Sequence, residues 1–288
     1  MKRKKWLRRI VSMSLVVSLV LASGNKMLSA KASQSKYVYT NLTDQPTQQK
    51  VQKQLQQAGV SSESAIAFMD EVNLYNHAIK KVSLTKKGYV CSKQLPTYKE
   101  DKISSLWQKS YPIFAGYDCR ITAYTLMRDL ISVKHPASDA KDNLAIDMGA
   151  LADDPFKLYQ ETDLKNFQTI YNAVPAKESK SVKVHCKTMQ KAWKKAGITF
   201  DAGVDAKLIS VVMHDGYEKE LYIGHAGVLL PQKNGFLFVE KLSFEMPYQV
   251  HKFKNKKALK QYLTKMYGAY TDDKSAKPFI MINDQPLL

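Results

Sequence analysis

The chain has 288 residues, of which 44% are hydrophobic and 24% are charged. This length is sufficient for one large domain or two small ones with a buried core. The composition excludes collagen-like, low-complexity and multi-span membrane proteins. Three cysteines are too few for a small scaffold held together by disulfides. The formal net charge is +18, from 44 basic and 26 acidic residues.

The first residues account for much of this charge. Residues 2–9 read KRKKWLRR, residues 10–22 form a short apolar run, and Ala30-Lys31-Ala32 ends in small residues. This three-part pattern predicts a secretory signal peptide over residues 1–32, with cleavage after Ala32. The apolar run is too short to span a bilayer comfortably, and no cysteine follows it to carry a lipid. We therefore expect residues 33–288 to form a single secreted domain, extracellular or associated with the cell wall, without a stable membrane anchor.

Removal of residues 1–32 takes away eight basic residues and no acidic one, which leaves 36 basic and 26 acidic residues and a net charge of +10. A basic secreted protein is attracted to anionic envelope surfaces, although a lysine-rich surface also serves solubility alone. Nucleic acid is not an expected partner, because no motif for reading it is present and export separates the protein from the chromosome.

The sequence pattern predicts mainly helices in the first two-thirds of the mature chain. A polar, extended segment is expected over residues 33–45, and a segment with a tryptophan over 101–111. Capping residues, glycine stops and periodicity predict further helices. These predicted helices cover residues 46–58, 62–80, 118–132, 155–171, 181–196 and 256–267.

Strands dominate after residue 200. Residues 208–214, 221–230 and 236–244 are β-branched or aromatic runs separated by turn residues, and a short apolar strand is expected at 278–282. Helices followed by an antiparallel meander predict an α+β domain, with the helical part packed on a small antiparallel sheet.

The segment Gly116-Tyr117-Asp118-Cys119-Arg120 holds the most informative cysteine. Asp118 is a predicted N-cap, which puts Cys119 in the first helical turn, where the helix dipole and free N–H groups favour a thiolate. The same N–H groups suit a developing oxyanion. Arg120 and Arg128 are the only arginines after residue 32, and both lie on this helix. A buried structural cysteine and structural arginine–carboxylate pairs are the alternatives.

A nucleophilic thiol needs a base, and His225 is the best candidate. It interrupts an apolar row in which Leu221, Ile223 and Leu229 are expected to share its face. The small neighbours Gly224, Ala226 and Gly227 leave room for a substrate backbone or a helix to approach. A core histidine with a structural hydrogen bond is the alternative.

Glu240 is the candidate for orienting the imidazole, because a carboxylate among Phe236, Phe238 and Phe244 is costly unless it is paired. A two-residue loop at Lys233-Asn234 makes Glu240 and His225 diagonal neighbours on adjacent strands. A three-residue loop with a glycine bulge puts them on opposite faces. The sequence does not choose between the two loops.

Other polar residues are weaker candidates. The amide of Asn73 on a predicted helix is a candidate oxyanion donor, and Asp118 and Arg120 are candidate binding residues beside Cys119. His185-Cys186 does not complete a metal site, because adjacent helical residues diverge by about 100°. Cys91 and Cys186 have no spacing that favours a disulfide. His251 has polar neighbours and no evident partner. The proposed chemistry requires no metal and no cofactor.

The segment Gly224-His225-Ala226-Gly227-Val228-Leu229 resembles the histidine strand of NlpC-type cell-wall peptidases, and the order cysteine, histidine, acid is similar to that of papain-like enzymes. These resemblances imply a cysteine hydrolase with Cys119 as nucleophile.

A broader resemblance rests on Tyr39-Thr40-Asn41-Leu42, residues 116–121, 208–212 and 224–229, and 238–243. These segments are similar to a secreted Gram-positive family known as domain of unknown function 4300. Several of its members resemble lipoproteins, whereas this chain lacks the lipidated cysteine.

The sequence therefore predicts a secreted cysteine hydrolase that cleaves or transfers an amide bond of a peptide or cell-wall component in the bacterial envelope. Cys119, His225 and Glu240 are the expected catalytic residues. The alternative is a non-enzymatic envelope-binding protein in which these three residues only pack in the core.

Overall fold

The computed structural model of the chain describes residues 36–287, and the predicted signal peptide lies outside the described residues. Eight α-helices lie within this range. They are α1 (Gln45–Gln57), α2 (Ser62–Ala78), α3 (Glu100–Ser110), α4 (Cys119–Met127), α5 (Ala145–Ala152), α6 (Glu161–Tyr171), α7 (Val182–Ala196) and α8 (Lys256–Tyr267). Among the described residues, no helix combines the length and the apolar character needed to cross a membrane.

Side-chain caps begin several of these helices where the sequence predicts them. Asp44, Ser61, Ser181 and Asn255 each accept a backbone N–H from three residues further on, which satisfies a donor that the helix leaves open. Gly197 ends α7 with a φ of +67°. The helices predicted over 46–58, 62–80, 181–196 and 256–267 are therefore confirmed within a few residues.

Two predicted helices are wrong in extent. The helix expected over 118–132 ends at Met127 and passes through a short 3-10 turn into a strand. The helix expected from Pro155 begins only at Glu161. The carboxylate of Asp154 accepts the backbone N–H groups of Phe156 and Leu158 and so holds this stretch in a turn. The sequence analysis also missed α5.

The described strands form one nine-stranded antiparallel sheet and one two-stranded sheet. They are β1 (Tyr37–Thr40), β2 (Val90–Ser92), β3 (Ile131–Val133), β4 (Val174–Pro175), β5 (Ile198–Phe200), β6 (Lys207–Asp215), β7 (Glu220–Gln232), β8 (Gly235–Lys241), β9 (Tyr248–Phe253), β10 (Phe279–Ile282) and β11 (Gln285–Pro286). The large sheet has the order β11-β10-β6-β7-β8-β9-β1-β2, with β4 paired to β7, and the small one joins β3 to β5.

The α+β class is confirmed, but the large sheet has more strands than the sequence indicated. Residues 37–40, expected to be an extended lead-in, form β1 and pair with β9. The strand predicted over 236–244 ends at Lys241, because the chain turns at 243–246 and returns as β9.

Apolar side chains cover both faces of the large sheet. On one face, Val212, Ile223 and Val228 belong to the main core, against which α2, α4 and most other helices pack. On the other face, Val211, Leu229 and Phe238 pack with Leu259 and Leu263 of α8 in a second, smaller core. The described residues form one compact unit. The central strands β7 and β8 are thus buried between the main core on one face and α8 on the other.

Candidate active site

Cys119 is the first residue of α4, as the sequence predicts. The carboxylate of its neighbour Asp118 accepts the backbone N–H of Ile121 at 2.9 Å and caps the helix. Gly116 enters this turn with a φ of +89°, and a Cβ atom there would lie only 2.9 Å from the Trp107 ring. A glycine is therefore required both by the backbone conformation and by the close approach of the tryptophan. The turn places the thiol where the partial positive charge of the helix N-terminus acts on it.

His225 lies on β7, which packs against α4. The pairing of β6 with β7 shifts register at this point: Val211 is opposite His225, whereas Val212 is opposite Ile223. Gly224 is thus an extra residue, a β-bulge that reverses the alternation of side chains. The prediction that Leu221 and Ile223 share a face with His225 is therefore wrong. They face the main core, and the bulge turns His225 and Leu229 to the face covered by α8.

Glu240 on β8 is the hydrogen-bond partner of His225. The β7–β8 hairpin pairs Gln232 with Gly235, so its loop contains two residues, and Gly227 is opposite Glu240. Of the two loops that the sequence left open, the one that makes His225 and Glu240 diagonal neighbours is present. Their Nε2 and Oε2 atoms are 2.7 Å apart, and both side chains are buried. Since Nε2 is engaged with Glu240, Nδ1 is the ring nitrogen left for the thiol of Cys119.

The three residues are linked electrostatically. Burial lowers the pKa of His225, but interactions with Cys119 and Glu240 raise it to about 10. The hydroxyl of Tyr262 on α8 donates a hydrogen bond of 2.6 Å to the second carboxylate oxygen of Glu240. Glu240 therefore accepts one hydrogen bond on each oxygen, which holds it in place as a partner for the imidazolium.

His251 on β9 extends this network and was missed in the sequence. Its Nε2 lies 3.8 Å from Glu240 and 2.6 Å from the side-chain oxygen of Gln249, and its ring packs against Tyr262 with centroids 4.7 Å apart. Burial lowers the pKa of His251 to about 4, although Glu240 acts in the opposite direction. His251 is thus a neutral, fully buried histidine beside the charged pair. Its polar neighbours in sequence gave no sign of this, because the contacts come from across the sheet.

The small residues around His225 do not open a channel on β7. A Cβ atom on Gly224 would meet Met213, and one on Gly227 would lie 2.5 Å from the Phe238 ring. The space that the sequence assigned to a substrate or a helix is therefore filled by neighbouring side chains. The Tyr267 ring also stacks on the imidazole of His225, with centroids 4.6 Å apart and an interplanar angle of 22°. Cys119 is 6% exposed and His225 is 1% exposed, so both residues are buried in this structure.

Arg120 connects the nucleophile helix to the histidine strand. Its guanidinium makes a bidentate pair with Asp147 on α5, at 2.8 and 2.5 Å, and Nη1 donates to the carbonyl of Ile223 at 3.3 Å. Nε is also 3.4 Å from the carboxylate of Asp118. Asp118 and Arg120 are both buried and engaged within the protein, which favours a positioning role over the substrate binding that the sequence suggested.

Lys241, next to Glu240, points to the opposite face of the sheet and is only 1% exposed. Its ammonium donates to the carbonyls of Ser243, Phe244 and Met246 and lies 4.0 Å from the centre of the Tyr75 ring. Burial lowers the pKa of Lys241 to about 7, while Asp118 and other nearby acids act in the opposite direction. The lysine therefore holds the 243–246 turn close to the segment that carries Cys119.

The remaining candidates lie elsewhere. Asn73 is exposed on α2 and accepts a hydrogen bond from Gln48, so the structure does not bring it to Cys119. Cys91 is exposed and Cys186 is buried, and both are free thiols. His185 stacks on His214 with ring centroids 4.0 Å apart. Within residues 36–287, no group of three or more His, Cys, Asp or Glu side chains is arranged to hold a metal ion.

Residues 38–287 match the family model described as Domain of unknown function (DUF4300). The chain belongs to this family. No curated protein and no solved structure matches the chain. Membership in DUF4300 assigns no reaction, and the likeness to NlpC-type and papain-like enzymes consists of a short local sequence and the order of three residues. Any functional assignment of this DUF4300 protein therefore rests on the geometry around Cys119.

Proposed function

We propose that this DUF4300 protein is a secreted cysteine hydrolase or acyltransferase that acts on an amide bond of a peptide or cell-wall component. The observation that carries the proposal is the convergence of Cys119, His225 and Glu240 from one helix and two strands. A thiol at a helix N-terminus, a histidine and a buried carboxylate that fixes the imidazole form a recurring arrangement for nucleophilic catalysis.

In the proposed reaction the Cys119 thiolate attacks the carbonyl carbon of the amide, and the carbonyl oxygen takes up the negative charge. The first N–H groups of a helix have no intrahelical partner. The N–H of Ile121 is taken by Asp118, while those of Cys119 and Arg120 lie at the N-terminus of α4, where a developing oxyanion is stabilised.

The His225 imidazolium then gives its proton to the leaving amine as the carbon–nitrogen bond breaks, which leaves an acyl group on the Cys119 sulfur. The neutral imidazole next takes a proton from water, or from an acceptor amine in the transfer reaction. The deprotonated nucleophile attacks the acyl carbon, the carbon–sulfur bond breaks, and the thiolate–imidazolium pair of Cys119 and His225 is restored. Glu240 holds the ring in one orientation and stabilises the imidazolium; it does not need to accept the proton.

A second candidate function is a binding protein in which the three residues only pack in the core. The observation that favours it is the cover over the site, since Tyr267 lies on His225 and Cys119 is 6% exposed. The two functions differ in whether the folded protein presents a reachable thiolate.

Acylation of the thiol by p-nitrophenyl acetate distinguishes these functions. The protein from residue 33 onward, with Cys91→Ala to remove the exposed thiol, should release a burst of p-nitrophenolate of about one equivalent before slow turnover. Cys119→Ala in this background should abolish the burst, whereas the matched variant Cys186→Ala, which removes the other buried thiol, should retain it. A burst that is absent, or that survives Cys119→Ala, would favour the binding protein.

A further inference from the structure

Two adjoining cavities lie at the opposite end of the hairpin from His225. Their volumes are about 630 and 350 Å³, and they lie between the C-terminal half of α1, the β7–β8 turn and β9. They share four lining residues, namely Gln54, Gln57, Gln232 and Lys252. We call the combined feature the lysine–glutamine groove. Lys233 follows His225 by eight positions along β7 and its turn, or roughly 25 Å of extended strand, so the groove is distinct from the Cys119 site.

The groove is positively charged. Lys50, Lys53, Lys233 and Lys252 line it and are exposed to solvent. Asp205 is the only acidic residue among those that line the two cavities, and it belongs to the larger one. Ammonium groups brought together in a concave surface attract anions more strongly than scattered surface lysines do. The lysine-rich end of the groove therefore favours a ligand with several negative charges.

The other lining groups are suited to hydroxyls. Gln54, Gln57, Gln232 and Asn234 present carboxamides, each of which both donates and accepts hydrogen bonds. Tyr89 lines the smaller cavity, and its hydroxyl has no hydrogen-bond partner within the described part of the chain. A ligand made of hydroxyls as well as anionic groups satisfies both kinds of lining residue.

The lining also argues against other polyanions. The lining residues that carry no charge or amide are Ala58, Pro231 and Tyr89, so no bulky aliphatic side chain is available for insertion into a membrane. Single-stranded nucleic acid is held by stacking of its bases on open aromatic faces. The Tyr89 ring has Lys252 Nζ at 3.9 Å from its centre, which occupies one of its faces.

We propose that the lysine–glutamine groove binds a chain of phosphorylated polyol or sugar units. The ammonium groups of Lys50, Lys53 and Lys252 pair with successive phosphates, and the glutamine amides bind the hydroxyls between them. This site is independent of the chemistry at Cys119 and does not require the protein to be an enzyme.

The test is titration calorimetry with a synthetic glycerol phosphate hexamer and two charge-matched triple variants. Lys50→Ala/Lys53→Ala/Lys252→Ala should weaken binding about tenfold or more, because it removes localised phosphate partners. The control Lys187→Ala/Lys191→Ala/Lys194→Ala removes the same charge from the exposed face of α7 and should weaken binding less than about twofold. Equal losses in the two variants would show that net charge alone is responsible and would overturn the proposal.

A second pair of variants separates hydroxyl recognition from charge. Gln54→Ala/Gln57→Ala keeps every lysine and places good helix formers on α1, so folding should be retained. This variant should bind the glycerol phosphate hexamer less tightly than wild type but bind tripolyphosphate, which has no polyol hydroxyls, unchanged. Wild-type protein that binds vesicles with 30% phosphatidylglycerol, or a thymidine hexanucleotide, more tightly than the hexamer would contradict the assigned ligand class.

Discussion

The side chain of Glu240 is the most informative one to substitute, because its carboxylate contacts both His225 and Tyr262. Glu240→Gln keeps the shape of the side chain and removes its charge. The amide oxygen can still accept from His225 Nε2, at the position where the two atoms now lie 2.7 Å apart. The amide nitrogen then faces Tyr262, whose hydroxyl can accept from it. The substitution therefore isolates the electrostatic contribution of the carboxylate to the thiolate–imidazolium pair.

The expected magnitude follows from the hydrogen bond that loses its charge. A hydrogen bond to a charged group contributes about 1.5–3 kcal/mol, which corresponds to about one to two pH units in the pKa of His225. The pKa of His225 is raised to about 10 by Cys119 and Glu240 together, so this loss leaves part of the increase in place. The equilibrium ratio of the thiolate–imidazolium form to the neutral thiol–imidazole form should fall about tenfold to a hundredfold.

The assay is the rate of iodoacetamide alkylation of Cys119 at pH 7, with the adduct located by peptide mapping. Tyr262→Phe serves as the matched control, because it removes the other hydrogen bond to Glu240 and keeps the charge; its rate should change by less than about threefold. Both variants should unfold cooperatively at temperatures near that of wild type. A Glu240→Gln protein that is folded and is alkylated at the wild-type rate would refute the role given to Glu240.

Four further variants test the surroundings of the site. Arg120→Lys keeps the charge but loses the bidentate pair with Asp147, and should lower the free energy of unfolding by about 1–3 kcal/mol in urea; an unchanged value would contradict the bridging role. The pKa of His251 is near 4 in the folded state, whereas an unperturbed histidine in the unfolded chain has a pKa of about 6.5, so His251 is protonated first in the unfolded state as the pH falls. The free energy of unfolding of wild type should therefore fall by about 2 kcal/mol more than that of His251→Phe between pH 7 and pH 5. A difference between the two proteins that does not change with pH would contradict the lowered pKa of His251. Lys241→Met leaves three carbonyls without their donor and should speed hydrogen exchange in residues 243–246, with no change expected if the turn is held by other contacts. Tyr267→Ala should accelerate alkylation of Cys119 about threefold or more, whereas a slower reaction would indicate that the ring supports the imidazolium and does not cover it.

Local signals predicted the parts of the fold and site that depend on neighbouring residues. Asp118 caps α4, and Gly197 ends α7, because both effects act within one helical turn. The pairing of His225 with Glu240 could be stated only as one of two alternatives. The number of residues in the β7–β8 loop decides whether the two side chains lie on the same face of the sheet or on opposite faces. The register in the structure selects the two-residue loop.

Features that depend on the other side of the sheet were not predictable in this way. The bulge at Gly224 is visible only in the pairing with β6, yet it decides which face His225 occupies. The helix predicted over 155–171 begins later than expected, because the carboxylate of Asp154 caps a turn and also accepts from the Tyr117 hydroxyl at 2.9 Å. His251 and Lys241 gave no sequence signal, because their environment is built from strands and helices far away in the chain.

The central claim is that Cys119 and His225 form a reactive thiolate–imidazolium pair, and the pH dependence of iodoacetamide alkylation between pH 4 and 9 tests it most directly. In the folded protein from residue 33 onward, Cys119 should be labelled selectively at pH 6–7, well below the value of about 8.5 at which an ordinary thiol ionises. His225→Ala should remove this selectivity while leaving the labelling of Cys91 unchanged. If Cys119 reacts no faster than Cys91 and Cys186, or reacts only after denaturation, the protein has no such pair and the hydrolase proposal fails.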